Sequence, residues 1–279
     1  LSLYDSVADR IDPNIGLIES TSGNLGVALA SIARSQGIPF TAVVDPRTPS
    51  SAMRALRRLG STVITATEQD SRGGFLLTRL QLVRKALREQ PGLCWTNQYE
   101  NPANPRAHEF GTAPELAEQV DNRSVVMVAV STGGTLAGIR AYAARGTDWT
   151  VIGVDVLGSH ALSGSTGARV LPGIGSSRRS SFVTRDAGPA VFVDSEAVAS
   201  ACVWLLEQSG IGVGASSGAL VAAALRLIEQ EETKVVVCIC PDGADSYLNT
   251  VYSSAWRSAN NLTVRPIPAT VQSVDWEAY

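Results

Sequence analysis

The chain has 279 residues, 44% of them hydrophobic and 18% charged, with a net charge of −3 and a pI near 5.5. Those figures describe a folded globular protein of one large domain or two lobes, and exclude a disordered or fibrous chain. The mild acidity argues against nucleic acid or an anionic membrane as partner; with no apolar run of membrane-spanning length and no signal-peptide pattern, a cytoplasmic location is expected.

In chain order, β-branched runs at 16–20, 40–45, 61–66, 124–130, 150–156, 190–193 and 234–240 read as strands. Between them, helical patterns cover 23–36, 50–59, 74–89, 110–120, 134–144, 196–209 and 217–231. Strands that are apolar throughout and alternate with helices predict parallel sheets covered on both faces. The expected fold class is therefore α/β, in two lobes: a small one over 1–98 and a larger one over 99–260, with an extended tail at 261–279. Cys94, Cys202, Cys238 and Cys240 show no metal-ligand spacing and read as reduced thiols; the last two are expected on one face of a buried strand.

Three strand-to-helix loops carry residues suited to an anion. Ligands of open α/β sheets bind at the carboxyl ends of strands, where helix N-termini supply unpaired N–H groups and positive dipole. TSGN (Thr21, Ser22, Gly23, Asn24) adds two hydroxyls and an amide, which suits a carboxylate; by itself it reads equally as a helix cap. STGGT (Ser131, Thr132, Gly133, Gly134, Thr135) has two glycines that let the backbone wrap a phosphate, with no lysine to make it a nucleotide phosphate loop. GASSGAL opens a third helix and does not satisfy the dinucleotide fingerprint, because it follows a helix.

Together with QYENPANPRAH (98–108), LPGIG (171–175) and SSGA (216–219), these loops resemble, in order, the motifs of fold-type II pyridoxal-phosphate enzymes of the cysteine synthase and cystathionine β-synthase family. The resemblance runs from about Gly16 to Tyr252 and implies roles residue by residue. Thr21 to Asn24 and Gln98 would hold the substrate α-carboxylate, with Asn24 also reaching the cofactor ring hydroxyl. Ser131 to Thr135 would cradle the phosphate of pyridoxal 5'-phosphate, Gly173 to Gly175 would edge the cofactor, and Ser217 would meet the pyridine nitrogen. A homodimer is implied as well.

VVDPRT, GGFLLTR, WTNQYEN, LPGIGSSR and PDGADSYLNTVYSSAW are more similar to a subgroup that makes precursors of 2,3-diaminopropionate for siderophores and peptide antibiotics. That likeness implies a β-replacement between O-phospho-L-serine and L-glutamate, giving N-(1-amino-1-carboxy-2-ethyl)-glutamate and phosphate. Arg79 matches the subgroup's arginine and, with Tyr99, Ser131 and Ser159, would face the anionic groups; Arg178 is a weaker candidate, and His108 and His160 read as structural. Cysteine synthesis from O-acetylserine or O-phosphoserine and sulfide is the alternative.

The family's Schiff-base lysine has no match. Of the two lysines, Lys85 lies on a charged helix face and Lys234 begins a strand. The catalytic lysine is therefore expected just upstream of Leu1; a lysine-free binding homologue is the other reading.

Overall fold

The computed structural model describes residues 1–162, 167, 169–184, 188–230, 235–267 and 275–277, the last three by backbone only. The chain divides into two compact units, Leu1–Asn104 and Pro105–Tyr279.

The first unit begins with α1 (Ser2–Asp5), followed by β1 (Leu17–Ser20), α2 (Asn24–Ser35), β2 (Phe40–Val44), α3 (Ser50–Arg58), β3 (Thr62–Thr65), α4 (Leu76–Glu89) and β4 (Cys94–Trp95). Its sheet is wholly parallel in the order β3-β2-β1-β4, with Leu17 opposite both Phe40 and Cys94. Every residue of β1 is buried. One face packs Leu17, Ala42 and Val44 against Leu29, Ala33 and Leu56; the other packs Ile18 and Val43 against Val83. Burial on both faces is why these strands read as unbroken apolar runs rather than alternating ones.

From the unit boundary onward come α5 (Ala103–Ala107), a π-helical turn His108–Thr112, α6 (Ala113–Ala117), β5 (Val125–Ala129), α7 (Gly134–Ala143), β6 (Thr150–Val156), β7 (Ala190–Val193), α8 (Ser195–Ser209), α9 (Ala215–Gln230), β8 (Val236–Cys238), α10 (Ser254–Ala259) and β9 (Asp275–Glu277). The second sheet runs β8-β5-β6-β7-β9, parallel except for the last pair. Its larger core sets Met127, Val154 and Val191 against Val198, Cys202, Ala219 and Ala223. Alanine is the commonest residue of α9, which is buried along most of its length and packs closely.

The two-sheet α/β architecture is the one expected, with local differences. The helix placed over 110–120 begins seven residues earlier, at Ala103, and contains the π turn. Asn101 Oδ1 accepts from the Ala103 N–H at 3.0 Å, and Pro105 falls within the first turn, where a missing N–H costs nothing. β4 is too short to announce itself. β8 ends at Cys238, so Cys240 stands beyond the strand and is exposed, contrary to the buried face expected for it. Within the tail, Asp275–Glu277 pairs antiparallel with β7; residues 268–274, 278 and 279 lie outside the description, as does Lys234.

Gly138 of α7 is a contact point that only glycine allows. A Cβ there would lie 2.3 Å from the Pro105 carbonyl oxygen and 2.7 Å from His108 Cβ. Gly138→Ala should therefore cost about 1–3 kcal/mol, the usual range for overpacking, read as a lower urea midpoint at unchanged m-value.

Candidate active site

In the first unit the residues singled out by sequence gather around Ser20, the last residue of β1. Thr21 is buried, and its hydroxyl accepts from the N–H groups of Gly26 at 3.0 Å and Gly23 at 3.4 Å, capping the start of α2 from outside the helix. Gly26 makes this possible, since a Cβ there would meet Thr21 Cγ2 at 2.3 Å. Ser22 and Gly23 are half-buried and Asn24 is exposed, so the loop presents its amide and hydroxyl groups at the positive end of a twelve-residue helix.

Gln98 reaches the same point from the other side of β1. Its Nε2 donates to the Ser20 carbonyl at 2.6 Å, and Tyr99 Oη lies 3.3 Å from Ser20 Oγ. Asn97, just before, adopts φ +50, a left-handed turn that asparagine tolerates. Beneath them lies Glu19, fully buried. Its Oε1 accepts from Ser20 N (2.7 Å) and Trp95 Nε1 (3.2 Å), and its Oε2 from Thr96 Oγ1 (2.5 Å) and Gln98 N (3.2 Å). Burial raises its pKa above the usual carboxylate range, and the four donors pull against that rise. Sequence reasoning passed over this group; the signal was an acid inside the apolar strand GLIES.

Arg79, on α4, does not face solvent. It is buried, its Nε lies 3.3 Å from Asp45 Oδ2, and its Nη1 has no hydrogen-bond partner. Burial raises the Tyr99 phenol's pKa, and the charge of Arg79 draws it back down.

In the second unit, Ser131 to Thr135 joins β5 to α7. Gly133 has φ +87, and a Cβ on it would fall 2.2 Å from Ser180 Oγ, whose hydroxyl donates to Thr132 O at 2.8 Å. Thr135 Oγ1 lies 3.1 Å from His108 Nε2, while His108 Nδ1 lies 3.0 Å from Thr112 Oγ1. Burial lowers the His108 pKa, so the ring is neutral at pH 7 and braces the cradle. Ser131 is exposed and donates to the Gly175 carbonyl at 3.2 Å. Gly173, at φ +82, lies against Tyr247, whose hydroxyl donates to Asp242 at 2.9 Å.

Ser159 is wholly buried, its oxygen accepting from Ala161 N (3.2 Å) and Ser176 N (3.0 Å), so it supports the Gly175 segment from beneath. Arg178 donates to Ser181 Oγ at 2.7 Å within its own loop. His160 donates its backbone N–H to Ser176 O at 2.7 Å. Lys85 is 62% exposed in its side chain and sits 3.7 Å from Glu89, as its charged surroundings implied. Among the described residues no cluster of three metal-ligating groups occurs.

Ser217, in the first turn of α9, is fully buried and its hydroxyl has no hydrogen-bond partner; the Cys240 thiol lies beside it. An unpaired buried hydroxyl and a glycine cradle at the start of α7 are what a phosphate-bearing pyridine requires, and the residues fit that group.

A glycine-bearing loop at the end of β5, a buried hydroxyl without a partner and two largely parallel sheets are compatible with a pyridoxal-phosphate enzyme. The chain matches the model of the pyridoxal-phosphate dependent enzyme family over residues 2–242 and belongs to that family, with pyridoxal 5'-phosphate as its cofactor. It is 40% identical over 252 residues to N-(2-amino-2-carboxyethyl)-L-glutamate synthase of Ralstonia nicotianae, covering 88% of this chain and 74% of that protein. The enzyme of the same name from Cupriavidus metallidurans is 39% identical over 275 residues, covering 94% and 81%. Among solved structures, O-acetylserine-dependent cystathionine β-synthase of Helicobacter pylori superimposes with a TM-score of 0.79 at 28% identity, over 90% of this chain and 83% of its own.

Two predictions follow from these geometries. Ser217→Ala should weaken pyridoxal phosphate binding while leaving stability unchanged or slightly raised, because it removes a buried hydroxyl with no partner; equilibrium dialysis and urea unfolding check the two halves. Asp155, fully buried, is pushed by desolvation up to about 6 against the Ser159 hydroxyl, the Val156 and Leu162 N–H groups and Arg169. Folding therefore takes up a proton between the ordinary Asp value and about 6, and this group's contribution to stability falls as pH rises through that window. Unfolding of wild type and Asp155→Asn at pH 4.5 and 7 should show a wild-type decline that the variant lacks.

Proposed function

We propose that the chain catalyses the β-replacement in which the amine of L-glutamate displaces phosphate from O-phospho-L-serine, a step toward 2,3-diaminopropionate. The Cβ–O bond breaks with its electron pair leaving on phosphate, the glutamate nitrogen forms the Cβ–N bond, and the Cα proton passes to a basic side chain that returns it after the addition. The observation that carries this reading is buried Arg79, held by Asp45 with its Nη1 unpartnered. A desolvated guanidinium and a phenol suit a substrate bearing a second carboxylate and would be wasted on sulfide. The names of the Ralstonia and Cupriavidus relatives support the same choice.

Pyridoxal phosphate, when bound, withdraws electrons from Cα and so weakens the bonds that must break. Thr132 to Thr135 hold its phosphate, and Ser217 offers the ring nitrogen a neutral hydroxyl, which limits electron withdrawal to what elimination needs. Thr21 to Asn24 and Gln98 bind the α-carboxylate of O-phospho-L-serine and orient Cα–H for removal. Arg79 and Tyr99 bind the incoming glutamate.

The test follows the visible absorption of the cofactor-loaded protein. O-phospho-L-serine should change the spectrum and L-glutamate should restore it, with stoichiometric phosphate release; Arg79→Lys should raise the KM for glutamate about tenfold, the loss of one charge-assisted hydrogen bond, without altering the first change. Restoration by sulfide alone would reassign the chain to cysteine synthesis. No response to O-phospho-L-serine would overturn the reading.

A further inference from the structure

We propose that Glu19 is a positioning residue for substrate-carboxylate recognition: its carboxylate fixes the backbone of Gln98 and the end of β1 so that Gln98 and the Thr21–Asn24 loop face one anion. The inference rests on the function proposed above. Its evidence is a complete match between acceptors and donors. An ionised carboxylate offers about four acceptor positions and no donor, and Glu19 receives four hydrogen bonds, two on each oxygen.

The four donors are not interchangeable. Ser20 N, Trp95 Nε1 and Gln98 N can only donate, whereas the Thr96 hydroxyl can turn and accept. Both contacts on Oε1 are therefore donor-only, while Oε2 has one partner that can reverse. An amide at this position must direct its NH2 toward the Oε2 side, where Thr96 accommodates it and the Gln98 N–H does not. Glu19→Gln thus breaks one contact selectively, the one that holds Gln98. With it goes the anchor of a side chain whose Nε2 donates to Ser20 O at 2.6 Å and carries a second N–H.

The arrangement also explains how an acid is tolerated beside an anion-binding loop. Its charge is spread over four hydrogen bonds, and the start of α2 supplies the opposing field. Tyr99 from the following loop, with Arg79 of α4 and Asp45 after β2 behind it, completes the titratable surroundings.

The test compares binding of O-phospho-L-serine and O-phosphoethanolamine, which lacks the carboxylate, to the cofactor-loaded protein by its visible absorption. Wild type should prefer the amino acid. Glu19→Gln should lose about tenfold of that preference, one hydrogen bond's worth, with cofactor content and circular dichroism unchanged; Thr96→Val, which leaves the Gln98 contact in place, should keep it. An unaltered preference in Glu19→Gln would refute the proposal, as would equal weakening of both ligands. Should Glu19→Gln fail to fold, the wild-type preference measured against pH decides: it should fall as Glu19 takes a proton on acidification, and a flat ratio refutes the role. A wild type with no preference at all would instead overturn the carboxylate reading itself.

Discussion

Parallel strand pairing is the constraint from which the rest of this protein follows. A parallel ladder cannot close through a tight turn, so each strand must return through a crossover, here mostly a helix. That requirement buries the strands on both faces and places helix starts together at the carboxyl edges of the sheets. Backbone N–H groups and positive helix dipole accumulate there without any charged side chain. The loops at Thr21 to Asn24 and Ser131 to Thr135 both occupy such edges. An overall charge of −3 is no obstacle to binding anions when the attraction is this local.

The loops are kept open by close contacts behind them. Gly26 admits Thr21, Gly133 admits Ser180, and Gly138 admits the Pro105 carbonyl. In each case the absent Cβ lets a polar group or backbone of the neighbouring segment approach to a distance no side chain would permit. Buried polar groups then complete the scaffolding. Glu19 and His108 are fully engaged, and each holds a segment next to one of the two strand-to-helix loops. Ser217 and the Nη1 edge of Arg79 have no partner, and they mark where ligands are expected.

Strong periodicity and motif order made much of this legible in the sequence: the α/β class, seven strands close to their observed limits, and a pyridoxal-phosphate cofactor. These are local properties. A run such as VVMVAV followed by STGGT carries its strand, its turn and its helix start within a dozen residues, and each is dictated by its own side chains.

Only the tertiary structure decided the remainder, because it depends on groups far apart in the chain. Whether Arg79 is solvated or buried turns on Asp45, thirty-four positions away, and nothing local distinguishes the two states. Glu19 becomes a hub only when Trp95, Thr96 and Gln98 arrive beside it. The early start of the helix at Ala103 needed a side-chain cap from Asn101, and the exposure of Cys240 needed β8 to stop short. Local patterning thus determined which elements form. Desolvation and hydrogen-bond completion, which exist only once distant segments pack, decided what their polar residues do.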